Sequence, residues 1–167
     1  MVEMHLTAVR VELPTNTPVV LLQEVDGVQR TLPIFIGAFE ASAIAAALQG
    51  VEPSRPMTHD LMRDLLVTLG VTVDHVVITD LRDGTFYAEI RMAREGRSYT
   101  LSSRPSDAMA LATRLGTKIY VEDSLLDAEG VILQTEEAEL GDDANPDELV
   151  SEFRDFIEGI RPEDFGS

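Results

Sequence analysis

With 167 residues, 44% hydrophobic and 26% charged, the chain has the composition of one folded globular domain plus an appendage. Its formal net charge of −17 argues against general attraction to a nucleic-acid backbone, so any phosphate recognition has to be local or has to recruit a divalent cation. The lack of cysteine excludes disulfides, thiolate nucleophiles and Cys-based zinc sites.

The charge is unevenly spread. Residues 135–167 carry twelve acids and two bases, and the remainder carries eighteen acids and eleven bases. No apolar run approaches the roughly 20 residues needed to cross a bilayer. Met1-Val2-Glu3-Met4-His5 lacks the basic-then-apolar pattern of a signal peptide. A cytoplasmic location with no membrane partner is therefore expected.

In chain order, His5 to Glu12 alternates and is rich in Val, Leu and Thr, as in a strand. Two prolines make Leu13–Pro18 a loop. Val19 to Val25 is a second strand, Asp26-Gly27 reads as a tight hairpin turn, and Arg30 to Ile36 returns as a third. Glu40 to Gln49 is an alanine-rich helix closed by Gly50, with Ala41, Ile44 and Leu48 toward the core. Thr58 is the expected N-cap of a helix to about Leu69, with Leu61, Leu65, Leu66 and Leu69 on one face and Asp60, Arg63 and Asp64 facing away.

A second set of strands follows: Val71 to Leu81, Thr85 to Met92 and Arg97 to Ser102, joined by Arg82-Asp83-Gly84 and Arg94-Glu95-Gly96 turns. Ser106 is the expected cap of a helix to Leu115, Gly116 stops it, and Lys118 to Val121 is a short last strand. The halves match at an offset of 67 residues, which sets Thr31–Gly37 on Ser98–Arg104 and Glu40-Ala41 on Asp107-Ala108. This predicts an α+β fold made of a duplicated β-β-β-α unit, with a mostly antiparallel sheet and one inserted helix.

The expected domain spans residues 1–133, with an acidic linker over 134–146. A C-terminal amphipathic helix and tail over 147–167 follow. Leu149, Val150, Phe153, Phe156, Ile157 and Ile160 give that helix an apolar stripe, which makes residues 147–160 a candidate surface for a protein partner.

No P-loop, dinucleotide glycine fingerprint or His-x-x-x-His pair is present. The remaining chemistry is carboxylates, one well-placed histidine and arginines. Glu40, Asp60 and Asp107 each fall in the first turn of a predicted helix. Acids are favoured there by the helix dipole alone. If the three helix starts converge, the same acids form the kind of cluster that Mg²⁺ or Mn²⁺ requires, which Asp64 would extend. His59, beside Asp60, is the candidate proton carrier. Arg55 and Arg104 precede helix N-termini, where a guanidinium and backbone N–H groups can hold phosphate, with Ser106 beside them. The alternative for each arginine is a pair with a neighbouring acid. The alanines Ala43, Ala46 and Ala47 are read as a close helix-packing stripe.

At these residues the chain resembles the bifunctional nuclease domain family. The matching segments are Leu32–Gly37 followed by Glu40-Ala41; Arg55-Pro56 with Thr58-His59-Asp60-Leu61; Thr85-Phe86-Tyr87-Ala88; and Arg104-Pro105-Ser106-Asp107-Ala108. They run through residues 1 to about 133. The resemblance implies a compact α+β domain, often a homo-oligomer, with nuclease activity on DNA and RNA. It supplies no settled catalytic set. Many relatives place an acid before the Arg-Pro-Ser-Asp segment, where this chain has Ser102-Ser103. The expectation drawn from residues and resemblance together is a metal-assisted nuclease. Two alternatives stand beside it: a non-enzymatic oligomeric interaction module, and a binder of a small anionic ligand between Arg55 and Arg104.

Overall fold

A computed structural model describes residues 1–13 and 15–132. The chain divides into two compact units, Met1–Leu133 and Gln134–Ser167. The linker and amphipathic helix expected beyond residue 133 lie outside the described residues.

Seven strands form one sheet: β1 (Val2–Glu12), β2 (Thr17–Glu24), β3 (Thr31–Phe35), β4 (Thr72–Arg82), β5 (Thr85–Arg94), β6 (Arg97–Ser103) and β7 (Lys118–Val121). Four helices accompany them: α1 (Ala38–Leu48), α2 (Thr58–Thr68), α3 (Pro105–Leu115) and α4 (Asp123–Glu129). The fold is α+β, as expected. None of these helices is long and apolar enough to cross a membrane.

The sheet order is β3-β2-β1-β7-β4-β5-β6. Two antiparallel meanders, β1-β2-β3 and β4-β5-β6, flank β7, which runs antiparallel to β1 and parallel to β4. The second meander closes its hairpins tightly. Asp83 and Gly84 (φ 49° and 74°), like Glu95 and Gly96 (φ 51° and 74°), both take the left-handed region that a two-residue hairpin loop requires. The first hairpin is looser than expected: Val25–Arg30 separate β2 from β3, and Arg30 folds back onto Glu24.

Each meander is followed by a helix, and α1 and α3 start and end 67 residues apart. That common order concerns arrangement; descent of one half from the other rests on the sequence offset alone. α1 rests on β1 and β2, and α3 rests on β4, β5 and β7. The two helices also touch each other, so they form one layer over one face of the sheet. α2 packs on α3.

The core lies between these layers. Val20, Leu22, Leu32, Ile34, Val76, Ile78 and Ile90 from the sheet meet Ile44, Ala108, Met109, Leu111 and Ala112 from the helices. Ala108, Ala110 and Ala112 are fully buried, which makes α3 the close-packed centre of the helix layer. Leu48, expected in the core, is exposed at the end of α1. α4 was not anticipated from sequence. Its Leu125 and Leu126 are buried, and Arg30 joins it to the sheet by pairing with both Asp127 and the buried Glu24.

Candidate functional site

The three helix starts singled out in the sequence do converge, on an open cleft of about 750 Å³. α1 supplies Glu40, Ala43 and Ala46; the start of α2 supplies His59, Asp60 and Met62; and β6 with the start of α3 supplies Leu101, Arg104 and Asp107. Most of the lining is apolar, with the charged groups gathered where the helices meet. Ala43 and Ala46 therefore form cleft wall, although they were expected only to let helices pack closely.

Local chain geometry sets each acid. Gly37, Met57 and Arg104 are the N-cap residues of α1, α2 and α3, so Glu40, Asp60 and Asp107 all occupy the third helical position. The capping roles expected for Thr58 and Ser106 are not taken, because each helix begins one or two residues earlier than the hydroxyl would require. Pro105 fits the first turn of α3, where a backbone N–H has no intrahelical partner. Ser106 is buried just behind it.

From the third position an acid can reach back to its own cap. Asp60 Oδ2 accepts the Met57 N–H at 2.9 Å. Glu40 folds over Gly37 so closely that a Cβ at position 37 would lie 2.2 Å from Glu40 Oε2. Gly37 has an ordinary φ, and a side chain there would have to displace the Glu40 carboxylate.

At the position 67 residues on from Gly37 stands Arg104, and it organises the mouth of the cleft. Its Nε and Nη2 donate to Asp107 Oδ2 and Oδ1 at 2.7 and 3.0 Å, and its Nη1 donates to Glu40 Oε1 at 3.0 Å. Glu40 and Asp107 are thus brought together, with a guanidinium between them. His59 Nε2 lies 3.1 Å from Asp107 Oδ1. Burial pushes the Asp107 carboxyl up, but hydrogen bonds from Arg104 and His59 outweigh it and hold the group below the usual carboxylate range. The same carboxylates raise Arg104 further above its already high value.

Asp60 belongs to a different cluster. Arg114 Nε donates to Asp60 Oδ1 at 2.6 Å, Nη1 donates to Ala110 O at 3.0 Å, and Nη2 donates to Ala43 O at 3.1 Å. Both side chains are nearly buried, and the guanidinium ties α1, α2 and α3 together. Hydrogen bonding to Arg114 depresses the Asp60 carboxyl. Arg114 was not singled out in the sequence. The only signal was a lone base on the inner side of an otherwise apolar helix.

The metal set expected from sequence is therefore divided. Glu40 and Asp107 share Arg104, Asp60 is committed to Arg114, and Asp64 pairs with the adjacent Arg63 at half-exposed surface. Among the described residues no three His, Asp or Glu side chains converge as a preformed cation site. Arg55 is exposed in the bend before α2, and it does not line the cleft with Arg104.

Of the four leucines expected to face inward on α2, only Leu66 packs against the core. His59 and Asp60 are buried, whereas Leu61, Leu65 and Leu69 are exposed. The polar pair turns inward because Asp107 and Arg114 await it on α3.

Known proteins match this chain over most of its length. An uncharacterized protein of Mycobacterium tuberculosis is 45% identical over 163 residues, covering 98% of this chain and 97% of its own. Two plant proteins carry an informative name. Bifunctional nuclease 2 of Oryza sativa is 28% identical over 68% of this chain, and Bifunctional nuclease 2 of Arabidopsis thaliana is 27% identical over 71%. The matched regions are only 36% and 38% of those plant proteins. The model of the bifunctional nuclease domain matches residues 20–134, which include every element of the cleft. This chain belongs to the bifunctional nuclease domain family.

Proposed function

We propose that the chain hydrolyses phosphodiester bonds of DNA or RNA in the cleft above His59, Asp107 and Arg104. The observation that carries this reading is the His59–Asp107 contact of 3.1 Å, with Arg104 forked onto the same carboxylate at the cleft mouth. Family membership and the plant relatives' names support the reaction class.

Each group has a role suited to its setting. With Nε2–H donated to Asp107, His59 keeps a lone pair on Nδ1, which takes a proton from the attacking water. The new P–O bond forms as the bond to the leaving oxygen breaks, and the proton on His59 returns to that oxygen. Asp107 orients the ring. Arg104 has three of its five N–H donors on carboxylates, which leaves two for phosphate oxygens.

Mg²⁺ or Mn²⁺ enters the proposal only as a cation carried by the substrate. Such ions take one or two protein carboxylates and complete their shell from phosphates and water, and Glu40 or Asp107, each now paired with Arg104, would be the carboxylate to hold it. When bound it would neutralise phosphate charge that this acidic chain repels.

The test is hydrolysis of single-stranded DNA and RNA with Mg²⁺, with Mn²⁺ and with chelator, comparing wild type, His59→Asn and Asp107→Asn at matched circular dichroism. A loss of roughly 10²-fold or more in both variants is expected. Equal rates in all three proteins would trace the activity to a contaminant and sink the proposal. Activity that survives chelator but not His59→Asn would leave the histidine pair and remove the cation. A second reading, a non-enzymatic interaction module, draws on the completeness of the Asp60–Arg114 pairing, which serves helix packing rather than chemistry. It predicts no hydrolysis by any of the three.

A further inference from the structure

The two edges of the sheet are unlike. β3 is short, contains Pro33, and is paired on its outer side: Thr31 and Val131 exchange N–H···O bonds of 2.7 and 2.9 Å. Proline and a covering segment are standard ways of closing an edge to further strands. β6 has neither. It is seven residues long, free of proline, paired among the described residues with β5 alone, and exposed from Arg97 to Ser102. No bulge interrupts its register with β5.

The outer edge of β6 also matches itself. In an antiparallel pairing of two copies with Thr100 opposite Thr100, Tyr99 lies opposite Leu101, Ser98 opposite Ser102 and Arg97 opposite Ser103. Apolar meets apolar and hydroxyl meets hydroxyl, and no two like charges are opposed. That matters for a chain of net charge −17, where most surfaces would set acid against acid. Between Arg97 and Arg104 there is no charged residue. Tyr99 and Leu101 are about half exposed on this lone sheet, so pairing would cover apolar surface as well as satisfy backbone groups.

We infer that a second copy of this chain docks on β6, strand to antiparallel strand, about a twofold axis at Thr100. The occupant has to be a strand, because what β6 offers is a row of unsatisfied N–H and C=O groups. A second copy is the strand whose sequence fits this one in a charge-free register. An isologous contact of this kind closes on itself and yields a dimer rather than a fibre. It joins the two seven-stranded sheets edge to edge. Leu101, Ser102 and Ser103 line the cleft, so the partner strand would stand beside each site.

The absence of cysteine makes a direct test available. Residues directly opposed across an antiparallel pair have Cα atoms about 4.5–5.5 Å apart, within disulfide range. Full-length Thr100→Cys should cross-link to a dimer under mild oxidation. Ser98→Cys and Ser102→Cys should cross-link efficiently only when mixed, and Asp83→Cys in an exposed hairpin turn serves as the collision control. In sedimentation equilibrium at tens of micromolar, wild type should be a dimer. Thr100→Lys, with unchanged circular dichroism, should weaken it by at least tenfold. A wild-type monomer would overturn the inference and point to another protein's strand as the occupant. A dimer in which Thr100→Cys cross-links no faster than Asp83→Cys would overturn it in favour of a different self-contact.

Discussion

At the scale of single residues, two arginines divide the work between them. Arg104 is exposed and bound to carboxylates at the cleft mouth, whereas Arg114 is nearly buried, with its guanidinium on one carboxylate and two backbone carbonyls. Removing one partner of a nearly buried ion pair leaves the other charge stranded, which typically costs about 3–5 kcal/mol. Arg114→Ala should therefore lower the urea midpoint strongly, while Arg104→Ala should change stability by less than about 1 kcal/mol. The same pair has a pH signature. The folded Asp60 carboxyl is depressed below its unfolded value of about 4, so its stabilising contribution is complete above that value. It is lost as pH falls from about 4 through the depressed folded value. Urea unfolding between pH 6 and pH 3 should show that acid-side decline in wild type and a shallower one in Arg114→Ala. Parallel declines would assign the acid sensitivity elsewhere, for instance to Glu24, whose carboxyl Arg30 likewise depresses. The sequence set Glu40 and Asp107 at the 67-residue offset and put His59 beside Asp60. It could not show that Arg114 would claim Asp60, because that partnership joins α3 to α2 across a packing contact 54 residues apart.

Among elements, the strands and their turns were the most legible. Alternation in β4 and β5 and the Asp83-Gly84 and Glu95-Gly96 turns fix their pairing locally, and β7 was bounded as Lys118–Val121. Helix α2 was misread in orientation for a physical reason. Its leucine spacing suggested an inner apolar face, but burial is decided by what the neighbouring helix presents, and α3 presents Asp107 and Arg114. The sequence holds the leucines; their destination depends on tertiary partners. α4 was missed because seven residues provide too little periodicity. The orientation of α2 is open to a paired substitution. Leu65 is exposed and Leu66 packs against the core, so Leu65→Lys should change stability by no more than about 0.5 kcal/mol. Leu66→Ala should cost roughly 2 kcal/mol in the same thermal or urea melt. A larger loss at Leu65 would return α2 to the orientation suggested by its sequence.

For the whole molecule, charge and architecture set the terms on which a nucleic acid can approach. Of the two arginines lining the cleft, Arg104 is 65% exposed and Arg114 only 7%, so Arg104 is the one a phosphate can reach. Binding that neutralises about one phosphate gives a slope of log K against log salt near −0.7 for single strands. Titrating Asp107→Asn with a labelled single-stranded oligonucleotide at several salt concentrations should give a slope between about 0 and −1.5. A slope of several units would reveal a basic track elsewhere on the chain. The sheet that supports the cleft depends on its shortest strand: among the described residues β7 alone joins the two meanders within the sheet, and Val2 of β1 pairs with its Val121. For a chain emerging from the ribosome in order, that arrangement has a cost in time. The inner flank of β1 has no neighbour until the last strand has cleared the exit tunnel, so the first meander must wait, half-finished and adhesive, through most of the domain's synthesis.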